Sequence, residues 1–381
     1  MLRINYTMIY LDNAATSFYK PESVKEAVKF ALDNYTANAG RGAYEVAKST
    51  GLKVLEVREK CKELFGEDFE CIFTSGCSAS LNLAIRGSVK PNSHIITTYL
   101  EHNSVLRVLE ELRKKKLIHY TVLTDFSKEN IERNIRPNTT HVITTHCSNV
   151  TGEVIDIKLF SEIAKKHKLI YILDTAQSAG HIDADFSVVD MVAFAGHKGL
   201  KGISGVGGLM VKPHIKLKPI SYGGTGTSSI ELNQPTNIPE GFEVGTIPVI
   251  PIISLGEGIK YFLDNKTEIL NKEKELGDYL KTKLDELDFV KKYYNNKNVN
   301  GVFSFNIGDV PSSIVADMLN EEYEICVRSG LHCAPLAHMF NDTVEQGMVR
   351  VSISHDNTFE DIDNLIIALK EINSKLISLP K

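Results

Sequence analysis

Met191-Val-Ala-Phe-Ala-Gly-His-Lys-Gly-Leu-Lys-Gly-Ile-Ser-Gly-Val-Gly-Gly-Leu209 sets an apolar run, a His-Lys pair and a wall of glycines next to one another. Val188 to Ala195 reads as a strand buried on both faces, so His197 and Lys198 emerge at its end, where open α/β sheets keep their ligands. Lys and Arg together number 43, and the ordinary reading of any one of them is a solvated surface charge. Lys198 differs because apolar residues and glycines flank it on both sides. A desolvated lysine has a lowered pKa and serves as an amine nucleophile, the requirement for a Schiff base with a carbonyl cofactor.

Upstream, His94-Ile-Ile-Thr-Thr, Ile118-His-Tyr-Thr-Val-Leu, His141-Val-Ile-Thr-Thr-His-Cys and Leu169-Ile-Tyr-Ile-Leu-Asp read as further strands. Helical spacing from Val105 to Lys115 and from Lys158 to His167 separates them, which predicts a mostly parallel sheet covered on both faces. Strand ends carry Glu101-His102-Asn103, Ser148-Asn149, and Asp174 followed by Gln177, all expected to converge with Lys198 on one crevice. Glu70-Cys-Ile-Phe-Thr-Ser-Gly-Cys-Ser is a strand that runs through Ser-Gly into a helix. The N–H groups opening that helix, with the Ser75 and Ser78 hydroxyls, form a phosphate seat, although Ser-Gly before a helix is more often a plain N-cap. Pro21 to Leu32 and about Tyr44 to Phe65 read as scaffold helices.

Prolines 235, 239, 248 and 251 predict a rigid crossing between domains. Helices at about 251–263 and 267–287, a strand at 301–307, a helix at 312–320, a strand at 350–354 and a helix after Thr358 predict a smaller α+β domain. The expected division is 15–250 for the large α/β domain, and 1–14 with 251–381 for the small one. Two domains suit 381 residues and 42.4 kDa. A net charge of -5 gives no electrostatic reason to expect nucleic acid or an acidic membrane as partner, and no stretch approaches the length of a membrane span. Six cysteines without a CxxC or a secretory signal argue for reduced thiols and a cytoplasmic protein.

These parts fit one cofactor, pyridoxal 5'-phosphate. A carboxylate at Asp174 about 4 Å from a pyridine nitrogen, at an effective dielectric of about 20, is worth roughly 4 kcal/mol, or about 3 pKa units. That keeps the nitrogen protonated, the state in which the ring is an electron sink. His102 is able to lie against the ring face, with Asn149 and Gln177 as donors to its phenolate oxygen. Each has an ordinary alternative: Asp174 as an N-cap or surface ion pair, His102 as a hydrogen-bonded surface histidine, the two amides as turn residues.

YLDNAAT, NAGRG, FTSG, EHNSVLR, HCSNVTGEV, DTAQSAGHIDAD, GHKGLKGISGVGGL, RSGLHCAPLAH and VRVSIS stand in one order along nearly the whole chain. In that order they resemble the class V, fold type I pyridoxal-phosphate enzymes, and within them the group II (SUF-type) cysteine desulfurases. The resemblance implies a large seven-stranded sheet domain and a small domain carrying a catalytic cysteine. It implies that Lys198 bonds the cofactor and shuttles the substrate's α-proton, that Asp174 pairs with the pyridine nitrogen, and that His102 stacks on the ring. Gln177 and Asn149 bear on the phenolate side. Gly76, Cys77, Ser78 and His197 hold the phosphate, helped by Thr246 from the second subunit of a homodimer. Arg350 clamps the substrate carboxylate with Asn149 assisting, a task suited to a bidentate guanidinium.

Cys333 decides the chemistry. By the resemblance its thiolate attacks the sulfur of cofactor-bound L-cysteine, releasing alanine and leaving a persulfide for a sulfur-acceptor protein. A bare cysteine is most often inert and buried, and only RSGLHCAP raises this one. Pro335 restricts its reach, so the acceptor is expected to come to it. His332, Cys333 and His338 as metal ligands lack a fourth ligand at metal-site spacing, so no metal is expected. The chain departs from the family pattern at Cys77 (usually Ala or similar), Ala79 (Glu), Gly196 (Ser in many members) and Ile247-Pro248 (Pro-Asn). Alternative activities are selenocysteine lyase, with L-selenocysteine as substrate, and a class V aminotransferase or lyase in which Cys333 is incidental. A non-catalytic sulfur-carrier scaffold would need lesions at Lys198 or Asp174, and both residues are present.

Overall fold

The computed structural model describes residues 8–39, 42–294 and 301–378; Gly40 and Arg41 of the NAGRG motif lie outside them. The chain opens with β1 (Ile9–Tyr10), α1 (Glu22–Asn34) and α2 (Glu45–Phe65). Next come β2 (Glu70–Thr74), α3 (Cys77–Ser88), β3 (Ser93–Thr98), α4 (Asn103–Lys114), β4 (Ile118–Leu123), α5 (Lys128–Arg133) and β5 (Thr139–Thr145). After α6 (Ile157–Lys166) follow β6 (Ile170–Asp174), β7 (Met191–Ala195) and β8 (Gly207–Val211). The rest is α7 (Val249–Asp285), β9 (Val290–Lys292), β10 (Val302–Ile307), α8 (Ser312–Tyr323), β11 (Ile325–Cys326), α9 (Pro335–Phe340), β12 (Val349–Ser352) and α10 (Phe359–Ser378).

The chain forms two compact units, a large one of Tyr19–Cys147 with Ile155–Lys266 and a small one of Met1–Phe18, Ser148–Val154 and Thr267–Lys381. In the large unit seven strands lie in the order β2-β8-β7-β6-β5-β3-β4. The β3–β4, β3–β5, β5–β6 and β6–β7 pairs are parallel, whereas β8 runs antiparallel to both β7 and β2. Every residue of β3, β7 and β8 is buried, as a sheet covered on both faces requires. The helices are set by ordinary local chemistry; Asp156, for example, caps α6 by accepting from Lys158 N at 3.0 Å and Leu159 N at 3.1 Å.

Four expectations from the sequence are corrected. The strand expected from Val188 begins only at Met191, because Phe186–Val188 is a 3-10 turn capped by Asp185, whose Oδ1 accepts from Ser187 N at 3.0 Å. The two helices expected at 251–263 and 267–287 are one helix, α7. Polar residues at and before the expected gap are satisfied on the helix itself: Asn265 Nδ2 donates to Tyr261 O at 2.8 Å, and Lys260 pairs with Asp264 one turn on. The proline span 235–251 lies within the large unit rather than between units, and Ser148–Val154, expected in the large domain, packs with the small one.

Helix α7 also shapes the turn that follows Lys198. Gly258 approaches it so closely that an added Cβ would collide with the Leu200 carbonyl oxygen and lie 3.2 Å from Gly202 N. Both obstacles are backbone. Gly258→Ala is therefore expected to lower stability by about 1–3 kcal/mol, the usual range for overpacking, whereas truncating exposed Lys260 two residues on changes it by less than about 1 kcal/mol. Equal melting temperatures for Gly258→Ala and wild type would contradict this close approach.

The small unit pairs β1 with β11 in parallel and carries an antiparallel sheet ordered β12-β10-β9. Its core joins Leu276, Leu280 and Leu284 of α7 to Phe303 and Phe305 of β10 and to Leu365, Leu369 and Ile372 of α10.

Candidate active site

The site in the large unit is built on the ends of the parallel strands. Asp174, the last residue of β6, is 3% exposed. Its Oδ1 accepts from Ala176 N at 2.9 Å and from the Cys77 thiol at 3.3 Å, while its Oδ2 has no hydrogen-bond partner among the described residues. One carboxylate oxygen is thus anchored and the other is left over.

Lys198 lies three residues beyond β7 and is half-buried rather than sealed from water, as is His197. Burial, with the charges of Lys198 and Lys20, pushes His197 down to about 4, so its imidazole is neutral at pH 7. Burial and the Asp174 charge raise the Cys77 thiol well above its ordinary range, while Lys198 lowers it. Cys77 therefore feels both the carboxylate and the amine.

Gly76 caps α3 with a φ of 154°, and a Cβ there would meet nothing within 4 Å. The first intrahelical bonds run from Ala79 N and Ser80 N back to Gly76 O, so the N–H groups of Cys77 and Ser78 have no acceptor among the described residues. That is an open anion cradle at the start of a 12-residue helix. Strand β8 presses against it, since a Cβ on Gly207 would lie 2.8 Å from Gly76 Cα.

His102 is the N-cap of α4: its Nδ1 accepts from Ser104 N at 3.0 Å and meets Ser104 Oγ at 2.8 Å, leaving Nε2 to carry the ring proton. Ser104 Oγ in turn lies 2.6 Å from Ser78 Oγ, joining the starts of α3 and α4. The ordinary reading of His102 as a hydrogen-bonded cap therefore holds alongside its candidate role. Gln177 is 6% exposed in the turn after β6. Thr246 is exposed and lines, with Ser75 and Ala79 of its own chain, a cavity of about 540 Å3. The segment leading to it is anchored by Glu243, which meets Arg58 at 2.8 and 2.5 Å and accepts from Phe73 N at 2.7 Å.

The small unit carries the remaining candidates. Cys333 is exposed, and it and His332 have left-handed φ values of 57° and 50°. Behind it His332 Nδ1 faces His338 Nε2 at 3.4 Å, and His338 Nδ1 meets Thr343 Oγ1 at 2.9 Å. Burial lowers the pKa of both imidazoles, and the Arg350 charge adds to the effect on His332. The two rings thus face one another, and among the described residues no group of three or more His, Cys, Asp or Glu side chains is arranged to hold a metal.

Arg350 is 2% exposed; its Nη1 donates to Asn149 O at 3.0 Å, its Nη2 to Asp12 Oδ1 at 2.6 Å, and its Nε has no partner among the described residues. Asn149 Nδ2 donates to His332 O at 2.7 Å. One hydrogen-bonded frame therefore joins Asp12, Arg350, Asn149 and the backbone before Cys333. Sequence reasoning grouped His338 with His332 and Cys333 only as metal ligands, and missed Asp12 as a member of this neighbourhood. The YLDNAAT motif that contains Asp12 was the available signal, but no local spacing pairs Asp12 with Arg350, 338 positions away.

An open anion cradle, a carboxylate with one oxygen left over and a half-buried lysine lie on the same sheet of the large unit, a donor set that fits a phosphorylated pyridine cofactor. The aminotransferase class-V family model matches residues 9–365, and the chain belongs to that family, which is pyridoxal-phosphate dependent. A probable cysteine desulfurase of Methanothermobacter thermautotrophicus is 32% identical over 382 residues, covering 96% of this chain and 94% of that protein. Another, of Halalkalibacterium halodurans, is 33% identical over 383 residues, covering 96% and 93%. The solved apo structure of a cysteine desulfurase from Thermococcus onnurineus matches with a TM-score of 0.90 at 30% identity, covering 97% of this chain and 95% of that one. No helix among the described residues is long and apolar enough to cross a membrane.

Proposed function

We propose that the protein is a cysteine desulfurase of the group II type, which takes sulfur from L-cysteine, releases L-alanine and passes the sulfur from Cys333 to an acceptor protein. The observation that carries this reading is Cys333 itself, an exposed cysteine on a left-handed turn within RSGLHCAP, in a chain of the class-V family. Bound pyridoxal phosphate supplies the electron sink for bond changes at the substrate. Lys198 holds the cofactor and moves the substrate's α-proton. Gly76, Cys77, Ser78 and His197 seat the phosphate, with Thr246 of a second copy assisting in a homodimer. Asp174 faces the ring nitrogen, His102 the ring, and Gln177 and Asn149 the phenolate side. Arg350 takes the substrate carboxylate, in competition with Asp12 for its fork.

The Cys333 sulfur forms a bond to the substrate sulfur, and the Cβ–S bond is replaced by Cβ–H. Carbon is reduced as the sulfur pair is oxidised, so the half-reaction needs no outside oxidant. The short Gly330 to Pro335 segment runs directly into α9, which supports the group II assignment and an acceptor that comes to Cys333. A cytoplasmic location accords with six free cysteines.

Protein loaded with pyridoxal phosphate is expected to form alanine and sulfide from L-cysteine, faster when a strong reductant or an acceptor removes the persulfide sulfur. A loaded, yellow protein that forms neither product would end this reading and favour a class-V activity in which Cys333 is incidental.

A further inference from the structure

Besides the backbone N–H it offers to the phosphate seat, Cys77 carries a thiol at the head of α3. Cys77 is the first residue of that helix, where open N–H groups ordinarily favour a thiolate. Here the thiol lies 3.3 Å from Asp174 Oδ1, and a thiolate would set two negative charges side by side. The contact is attractive only when sulfur keeps its proton and donates it. Burial and the Asp174 charge, the main influences on this thiol, both favour that protonated form. Oδ1 then receives two donors, Ala176 N–H at 2.9 Å and Cys77 S–H, whereas Oδ2 receives none among the described residues.

A carboxylate is free to rotate about its Cβ–Cγ bond and to exchange its two oxygens. A single backbone donor fixes one hydrogen bond, and a second donor from a different strand–helix junction fixes the plane. We propose that Cys77 is a positioning residue: its thiol pins Oδ1 of Asp174 so that Oδ2 is presented to the protonated ring nitrogen of the bound cofactor. The inference rests on the pyridoxal-phosphate reading above. It also separates Cys77 from sulfur transfer, because a thiol held protonated against a carboxylate is a poor nucleophile.

The test is a titration of cofactor-free protein with pyridoxal phosphate, followed by absorbance, for wild type, Cys77→Ala, Cys77→Ser, Asp174→Asn and Cys77→Ala/Asp174→Asn. A weak S–H donor to a charged acceptor is expected to contribute a modest factor. Cys77→Ala should raise the dissociation constant roughly 3- to 10-fold, Cys77→Ser should stay within about twofold of wild type, and the alanine change should add nothing once Asp174 is Asn. Three results overturn the proposal: wild-type affinity in Cys77→Ala, an equal loss in Cys77→Ser, or a loss that persists beside Asp174→Asn. Wild type that binds no pyridoxal phosphate removes both this inference and the functional reading; wild type that binds it and turns over cysteine, beside an unaffected Cys77→Ala, removes this inference alone.

Discussion

Cys333→Ala is expected to lower alanine formation from L-cysteine by roughly 10^3-fold or more while the protein keeps its yellow cofactor absorption. The size follows from deleting a nucleophile with no neighbour able to replace it. Among the described residues Cys333 is the one exposed cysteine: Cys61, Cys71 and Cys147 are buried, and Cys77 and Cys326 are half-buried. The retained colour is expected because Cys333 is not among the proposed cofactor donors, which apart from Asn149 belong to the large unit. Cysteine turnover by Cys333→Ala within tenfold of wild type would mean that another group receives the sulfur. Loss of colour together with turnover would instead tie Cys333 to cofactor retention.

The second large effect concerns stability against pH. Glu101 is fully buried at the end of β3; its Oε1 accepts from Thr98 Oγ1 at 2.5 Å and Thr145 N at 2.9 Å, and its Oε2 has no partner among the described residues. Burial, opposed by those hydrogen bonds and aided by the Asp174 charge, pushes its carboxyl up to about 8 from an ordinary 4.5. The folded state therefore holds this proton more tightly than the unfolded chain. Its stabilising effect is complete below pH 4.5 and is lost as pH rises through 8, a total of about 5 kcal/mol at about 1.4 kcal/mol per unit. Glu101→Gln keeps an acceptor for Thr145 N and carries no proton to lose. Its melting temperature is expected to hold up between pH 6 and 9 while that of wild type falls, and parallel curves for the two proteins would rule the account out.

Both residues sit in motifs visible in the bare sequence, yet only one of the two roles was legible there. Cys333 is read from its neighbours in the chain. Glu101 appeared as one polar residue of a strand end, and its neutral state depends on Thr145, brought alongside only by the pairing of β3 with β5. The same division runs through the fold. Strands β6 and β7 were legible as near-continuous apolar runs, and β3 and β5 as short Ile-Ile and Val-Ile cores flanked by β-branched threonines. Strand β8 was hidden because Gly207 and Gly208 look like loop, whereas they are glycine because Gly76 and the Phe194 ring leave no room for a side chain. The unbroken course of α7 was hidden for the opposite reason, since its polar midsection is exposed and satisfied within the helix. Asn149 was placed with the cofactor by sequence, and the structure adds its bonds to Arg350 and His332, which lie about two hundred residues away.

The pairing of β2 with β8 also sets a timetable for synthesis. Strand β2 is complete at Thr74, and its partner begins only at Gly207. At about 5–20 residues per second a ribosome needs roughly 7–27 s to cover that interval, and throughout it Cys71, Ile72 and Phe73 have no strand to pair with. The Gly76 cradle is backed by Gly207, so it is finished at the same late moment. A nascent chain shorter than this offers the cofactor no completed seat, and newly made protein passes through an interval in which it exposes an apolar strand and holds no cofactor. The covering of this apolar strand and the completion of the Gly76 cradle therefore await the same strand of one sheet.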